Sequence, residues 1–535
     1  MKFLPFGILL VLITVHRAGA RPIHRSDACR FAPMFTTQEL LLSNSSRDLF
    51  IRTVMYWEGQ FHQPGIGYNA VTGMTYDGHG LNYTSGDIDT SNLHFWSAPS
   101  KEGLHFMMLA LSLSGNEYAR IFVSSSNVSA ADEVALDLLE RKMGSMEAFD
   151  SQWPGFGGFL PWFFNYDAGL VPANDWYNSV PSLDNGEMIW GIYAARVVLA
   201  SRSDTRSQRL ALRLNARLQL LATTAPVIFY DGGGRIRSVA TIANNKGSPM
   251  NSSNYALACT YQPCFLDDPY EGEMFAFFLD MYSTWSNQTE RDSVWVNKRT
   301  KLQSVNFTVS STTINANISV QRGWWFSAHE QWKYLELPYL DVPINARVFR
   351  NGERARSWNS ALKRIPGMYA SVTDVCAAGQ QPPDYISSTG IESISFNSVD
   401  RADVVTPYGS FPVMLADLPT GLTWYNLMLQ GPSMQGLHGS TEAVNVNGTD
   451  ISPVVTWDSK ITSAVAMLGG VADIVAKGLK SDGVYDRFTS VVQREWSLAF
   501  PSLVGEDLAF ATPQAAIPTT LGDFSECRLP SLFVR

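Results

Sequence analysis

The chain has 535 residues, 45% of them hydrophobic, and carries a formal charge of −9 with a pI near 5.5. Its length and apolar content allow a large buried core and exclude disorder, and an acidic balance without any Lys/Arg block excludes a nucleic-acid or anionic-membrane surface. Neutral or small partners remain.

The N-terminus, MKFLPFGILLVLITVHRAGA, sets Lys2 before an apolar run from Phe3 to Val15 and closes on Ala18, Gly19 and Ala20. That is the pattern of a secretory signal cleaved after Ala20, too short in its apolar run to span a bilayer. The later apolar stretch ITSAVAMLGGVADIVAKGL carries Asp473 and Lys477 at helical spacing, so no membrane association is expected. Sequons at Asn44, Asn82, Asn127, Asn251, Asn287, Asn306, Asn317 and Asn447 suit a secreted, extracellular, N-glycosylated protein. In an oxidising compartment Cys29, Cys259, Cys264, Cys376 and Cys527 are disulfide candidates, and an odd number leaves at least one unpaired in the expected monomer. Cys259 and Cys264, which enclose a short loop, form the first candidate bridge.

No linker, charge block or low-complexity tract divides residues 21–535, which read as a single domain. Apolar spacing of i, i+3, i+4 and i+7 predicts helices over 37–60, 99–114, 130–148, 184–202, 206–222, 268–283, 289–302, 355–371, 459–478 and 483–498. Residues 304–321, SVNFTVSSTTINANISVQ, alternate β-branched with polar side chains and predict a strand pair. About ten helices with long aromatic, glycine-rich loops between them point to a mainly α toroid of paired helices, and no fixed repeat supports a solenoid.

Fifteen tryptophans among 12% aromatic residues suit a protein that stacks rings on the apolar faces of sugars, while carboxylates and amides hold the hydroxyls. Along the chain, TYDGHGLNY offers Asp77 and His79, and SLDNGEMIWGIYAA offers Asp184 and Glu187 ahead of Trp190. QRGWWFSAHEQWKYLELPYL groups Trp325 and Trp332 with His329 and Glu330. Other chemistries lack their residues. There is no G-x-S-x-G elbow, SAHEQWKY lacks the second His of a zinc protease, and YDGGGRIRS lacks the P-loop lysine. No cofactor or metal motif is recognisable.

Paired carboxylates remain, and glycosidic cleavage needs two: an acid for the leaving oxygen and a base or nucleophile for the anomeric carbon. In DDPYEGEMFAFFLDMY, Asp268 has the spacing of a capping box with Glu271, and helical geometry sets Glu271 on a stripe with Phe275, Phe278 and Tyr282. Desolvation there would keep its carboxyl protonated, as a general acid requires, with Glu273 as the rival. Asp458 in ISPVVTWDSKIT heads an apolar helix, where an ionised carboxylate is favoured. A plain helix cap is the alternative role for either Glu271 or Asp458.

Four blocks, SLDNGEMIWGIYAA, DDPYEGEMFAFFLDMY, SAHEQWKYLELPYLDVPINARVFRNGERARSWN and TWDSKITSAVAMLGG, resemble the secreted fungal endo-β-1,2-glucanases of glycoside hydrolase family 162 and, more distantly, family 144. The resemblance spans residues 35–500 and implies an (α/α)6 toroid with a cleft at one end. It also implies inverting endo-hydrolysis of linear β-1,2-glucan to sophoro-oligosaccharides. In that family a Glu is the acid, and a later Asp is a base that reaches the attacking water through a substrate hydroxyl. Carried over, the acid falls on Glu271 or Glu273 and the base on Asp458, with Glu442 in GSTEA as its rival. Asp77, His79, Asp184, Glu187, Trp190, Glu273, Trp325, His329, Glu330 and Trp332 are the expected substrate-binding residues. A sugar epimerase or polysaccharide lyase on a similar toroid is the runner-up, and a non-catalytic glycan-binding protein comes third. Eight histidines without a convincing pair disfavour the epimerase, and the acidic charge disfavours a lyase for acidic polymers.

Overall fold

In the computed structural model, which describes residues 29–259, 264–370, 372–377, 380, 385–386 and 388–527, α-helices dominate and β-structure is confined to two- and three-stranded sheets. The expected signal segment, 1–20, lies outside the described residues. Sixteen α-helices occur among them: α1 (Thr37–Leu42), α2 (Asn44–Glu58), α3 (Pro99–Leu113), α4 (Glu117–Val123), α5 (Ala131–Gln152), α6 (Leu183–Ser201), α7 (Thr205–Ile228), α8 (Gly272–Tyr282), α9 (Gln288–Arg299), α10 (Lys333–Glu336), α11 (Pro343–Leu362), α12 (Phe411–Ala416), α13 (Leu418–Leu429), α14 (Trp457–Met467), α15 (Ala472–Ser481) and α16 (Tyr485–Ala499).

Burial sorts these helices into two rings. Every residue of α3 is buried, and α6, α8, α10, α12 and α14 are nearly so, the mark of helices surrounded by protein. α14 packs on α3, α3 on α6, and α6 on α8; α10 stands beside α6 and α12, and α12 returns to α14. Outside them α5 lies on α3, α7 on α6, α9 on α8, α11 and α13 on α12, and α2 on α14. The result is the expected toroid of inner and outer helices. Glycine permits its tightest contact: a Cβ on Gly191 of α6 would lie 2.3 Å from the carbonyl oxygen of Gly103 on α3.

Several boundaries differ from the periodicity, each for a local reason. The 37–60 segment splits because Ser43 closes α1 and caps α2, accepting from the Ser46 N–H. The 459–478 segment breaks at Gly469 and Gly470, at φ +85° and +75°, and α14 and α15 meet at a bend of 72°. α11 starts at Pro343 and ends at Leu362, earlier than the apolar spacing suggests, since proline favours the first helical turn. α4, α10, α12 and α13 were not legible from spacing; α10 and α12 hold four and six residues, too few to show a period. No single helix among the described residues is long and apolar enough to cross a membrane.

Residues Ser304–Ser310 and Asn315–Gln321 form the expected antiparallel pair, with Phe307, Val309, Ile318 and Val320 buried on one face. Asn306 and Asn317 are exposed on the other, as are all eight sequon asparagines. Cys259 is bridged to Cys264 and Cys29 to Cys527, leaving Cys376 free and buried.

Candidate active site

The inner helices α3, α6, α8 and α14 carry Lys101, Asp184, Glu271 and Asp458 in or just before their first turns, and α6 adds Glu187 just past its first turn. Four of these five residues are acids, gathered at one end of the toroid. They line a cleft of about 560 Å³, together with Asp77, Trp325, His329, Trp332 and Glu442.

One wall holds a lysine between two carboxylates. Lys101 Nζ lies 2.9 Å from Asp458 Oδ2 and 3.2 Å from Asp77 Oδ1, and Asp77 Oδ2 accepts from His94 Nδ1 at 3.0 Å. The backbone builds this triad: Gly78–Leu81 pairs antiparallel with Val454–Thr456, and the Trp457 N–H donates to the Asp77 carbonyl at 2.9 Å. Burial alone would lower the Lys101 pKa, but the charges of Asp458 and Asp77 raise it above the ordinary lysine value. Burial raises Asp458 above its usual value, and Lys101 opposes that rise with both charge and hydrogen bond. Asp458 Oδ1 is buried and has no hydrogen-bond partner among the described residues.

The two glutamates of PYEGE part company. Glu271 faces the cleft as the N-cap residue of α8, with its Oε2 unpartnered among the described residues and its Oε1 3.8 Å from His329 Nε2. Burial, then the charges of Asp268, Glu330 and Asp184, hold its carboxyl well above the usual range. His329, pushed down to about 3 by burial, is neutral and gives Glu271 no cation to ionise against. Glu273 points away from the cleft, 1% exposed, bonded to Tyr339 Oη at 2.6 Å and Lys333 Nζ at 3.1 Å. The same Lys333 donates to the Pro269 carbonyl at 2.9 Å, joined by Gln321, while Lys298 donates to the Asp268 carbonyl at 2.8 Å. Glu273 thus anchors the lysine that pins the loop carrying Glu271.

The helix start differs from the capping box. Asp268 Oδ2 accepts from the Gly272 N–H, and a Cβ at Gly272 would displace that carboxyl, which it would meet at 2.2 Å. Phe275 and Phe278 belong to the core, and the aromatic surroundings of Glu271 come from Trp325, His329 and Trp332 instead.

Among the other acids, Asp184 accepts from Ser100 Oγ at 3.0 Å and from Trp162 Nε1 at 3.5 Å. Glu187 has an unpartnered Oε2 among the described residues and is pushed well up, first by burial and then by Glu271, Asp184, Glu336 and Asp458. Glu442 is raised to about 8 by burial and then by the charge of Asp77, so it is mostly protonated at neutral pH.

Four expected substrate-binding residues stand outside the cleft. His79 is buried in its strand, its Nε2 3.0 Å from the Ile66 carbonyl. Trp190 is fully buried, donating to the Met274 carbonyl at 3.0 Å. Glu330 forms a capping box with Ser327 and accepts the N–H groups of Trp324, Trp325 and Ser327. Glu273 is the fourth. Asp77, Asp184, Glu187, Trp325, His329 and Trp332 do line the cleft. Sequence reading missed Lys101, His94, Trp96, Ser100 and Trp162, which also line it. Only the His-x-Trp of NLHFWS hinted at two of them.

Residues 74–528 match the family described as Endo-beta-1,2-glucanase SGL. An endo-β-1,2-glucanase from Talaromyces funiculosus in complex with sophorose is 38% identical, with a TM-score of 0.89 over 94% of this chain and 100% of that one. A mutant of the Talaromyces funiculosus enzyme with β-1,2-glucan bound gives the same values. The endo-β-1,2-glucanase of Chitinophaga pinensis, in complex with sophorotriose and glucose, shares the fold at 14% identity and a TM-score of 0.56, over 81% of this chain and 97% of that one. No curated protein matches the chain.

Proposed function

The chain belongs to the endo-β-1,2-glucanase family of glycoside hydrolases, and on that premise we propose that Glu271 is its general acid and Asp458 its general base. The supporting observation is the contrast between the two carboxyls. Glu271 is desolvated without a cation, which favours its protonated form, whereas the charge and hydrogen bond of Lys101 oppose the rise that burial brings to Asp458 and so favour its ionised form. An acid and a base held in opposite protonation states are what inverting hydrolysis uses.

Linear β-1,2-glucan lies in the cleft. Glu271 gives its proton to the glycosidic oxygen as the bond from that oxygen to the anomeric carbon breaks. A water attacks the opposite face of that carbon and passes its proton, through a hydroxyl of the bound glucan, to Asp458. The products are shorter sophoro-oligosaccharides, with the new reducing end inverted. Asp77, Asp184, Glu187, Trp325, His329 and Trp332 bind the chain. Glu442 is the weaker candidate for the base because burial keeps its proton on.

The deciding experiment follows the fresh product by proton NMR together with the variants Glu271→Gln and Asp458→Asn. An α-configured reducing end and loss of cleavage in both variants are expected. A β-configured first product, or full activity in either variant, would overturn the assignment. We place the mature enzyme outside the cell as a glycosylated monomer, residues 21–535 forming one catalytic domain. Two disulfides and eight exposed sequons support the extracellular, glycosylated part of this reading. A shift in mass on enzymatic deglycosylation, and a monomer mass in light scattering, are the expected results.

A further inference from the structure

We infer that the glucan path continues beyond the catalytic carboxyls along an aromatic track formed by Trp96, Trp162 and Trp176, which binds further glucose units of the same chain. The inference rests on the cleft reading above and concerns residues outside its chemistry.

The three rings are arranged as a staircase. Trp96 and Trp162 have centroids 5.8 Å apart and planes 10° apart, and Trp162 and Trp176 have centroids 6.1 Å apart and planes 14° apart. All three faces are therefore nearly parallel. Each ring is half-buried, and none of them belongs to the hydrophobic core or packs against it. Half-buried, parallel tryptophans that contribute nothing to a core offer exposed ring surface of the kind that pyranose C–H faces bind, Trp176 most of all because it ends the stack.

The inner two rings are tied to the site already described. Trp96 stacks on His94 at 5.7 Å, and His94 bonds Asp77; Trp162 donates to Asp184. Both also line a second hollow, of about 310 Å³, whose far side is Trp176. The cleft and this hollow thus adjoin, with two side chains common to both linings. At its rim Asn174 and Asp175 are exposed and supply the amide and carboxylate that sugar hydroxyls require. Trp176 stands on the turn Asn174–Trp176 between the strands Gly169–Pro172 and Ser179–Pro181, so the backbone fixes its position. A polymer chain is the occupant long enough to reach from the cleft into this second hollow.

The test compares long β-1,2-glucan with the shortest sophoro-oligosaccharide that the enzyme cuts. Trp176→Ala is expected to raise KM for the polymer by about threefold to tenfold, the worth of one ring stack, and to leave kcat/KM for the short substrate unchanged. Trp176→Phe, which keeps a stacking face, is expected to retain most of the polymer affinity. Unchanged polymer KM in Trp176→Ala, or equal losses on both substrates, would overturn the track. Glu271→Gln in the same assay separates the two readings. Its inactivity beside an unaffected Trp176→Ala sinks the track alone, while an active Glu271→Gln sinks the cleft reading on which the track rests.

Discussion

Lys101 and Asp458 are 357 residues apart in the chain and 2.9 Å apart in the fold. Asp77 stands on the other side of the ammonium, and the charge and hydrogen bond of Lys101 oppose the rise that burial imposes on the Asp458 carboxyl.

Removing that cation should therefore move the pH profile and not merely the rate. In Lys101→Met, Asp458 loses the group that opposes its desolvation, and Asp77 is left as an uncompensated like charge beside it. The acid limb of kcat against pH is expected to move upward by about 1–3 units, because the base must be unprotonated to work. An acid limb unchanged in position, whatever the loss in rate, would contradict the role given to Lys101.

The two glutamates of PYEGE should fail in different ways. Glu271→Gln removes the transferable proton and is expected to lower kcat by about 10²–10⁴ with little change in Tm. Glu273→Gln weakens the bonds to Lys333 and Tyr339 and is expected to lower stability by about 1.5–3 kcal/mol, with the smaller effect on kcat. In the parent enzyme the alkaline limb should reflect Glu271, activity falling as pH rises through its raised pKa. Kinetics and melting curves on the two variants check this, and a reversed pattern would exchange the assignments.

Glu187 offers a test by linkage. Its folded pKa is raised above the unfolded value, so the folded state holds the proton more tightly. The stability this contributes is fully present below the ordinary carboxylate pKa and is lost as pH rises toward the folded value. Glu187→Gln cannot ionise and escapes that loss. Its stability relative to the parent should rise by about 1.4 kcal/mol for each pH unit in that window, and no further change is expected beyond it. A difference that stays constant from about pH 4 to about pH 9 would show that Glu187 is not desolvated.

The two disulfides should differ in worth. Cys29 and Cys527 join the ends of the described chain across 498 residues, whereas Cys259 and Cys264 close a loop of five. Loop-closure entropy makes the long bridge the more stabilising: Cys527→Ser is expected to cost about 2–5 kcal/mol, and Cys264→Ser less. Neither change should alter kcat, since none of these cysteines lines the cleft. Denaturant melts of the two variants measure the order directly.

The helices around the ring were largely legible because burial on one face leaves a 3.6-residue period in the chain, and most predicted segments match a helix within a few residues. Where they do not, as at Ser43 or Gly469, a single cap or left-handed residue outweighs the period. Trp190, His79 and Glu330 show the limit of composition. Each stands in an aromatic, polar stretch that suits sugar binding, and each turns into the core or caps a turn, because adjacency in sequence does not say which side of an element faces solvent.

The sequence by itself determined the kind of chemistry: acids at helix starts, aromatic loops and no nucleophile elbow or metal motif leave glycosidic cleavage by paired carboxyls. It favoured Glu271 over Glu273, two residues apart with the same side chain, only through an aromatic stripe whose Phe275 and Phe278 turn out to belong to the core. Only the tertiary structure decided which of them faces the cleft. Lys333 and Tyr339, distant in sequence and on other elements, hold Glu273 by an ion pair and a hydrogen bond, while Lys101 arrives from α3 to oppose the desolvation of Asp458. A carboxyl's protonation depends on the charges and the water around it, and those are set by neighbours in space.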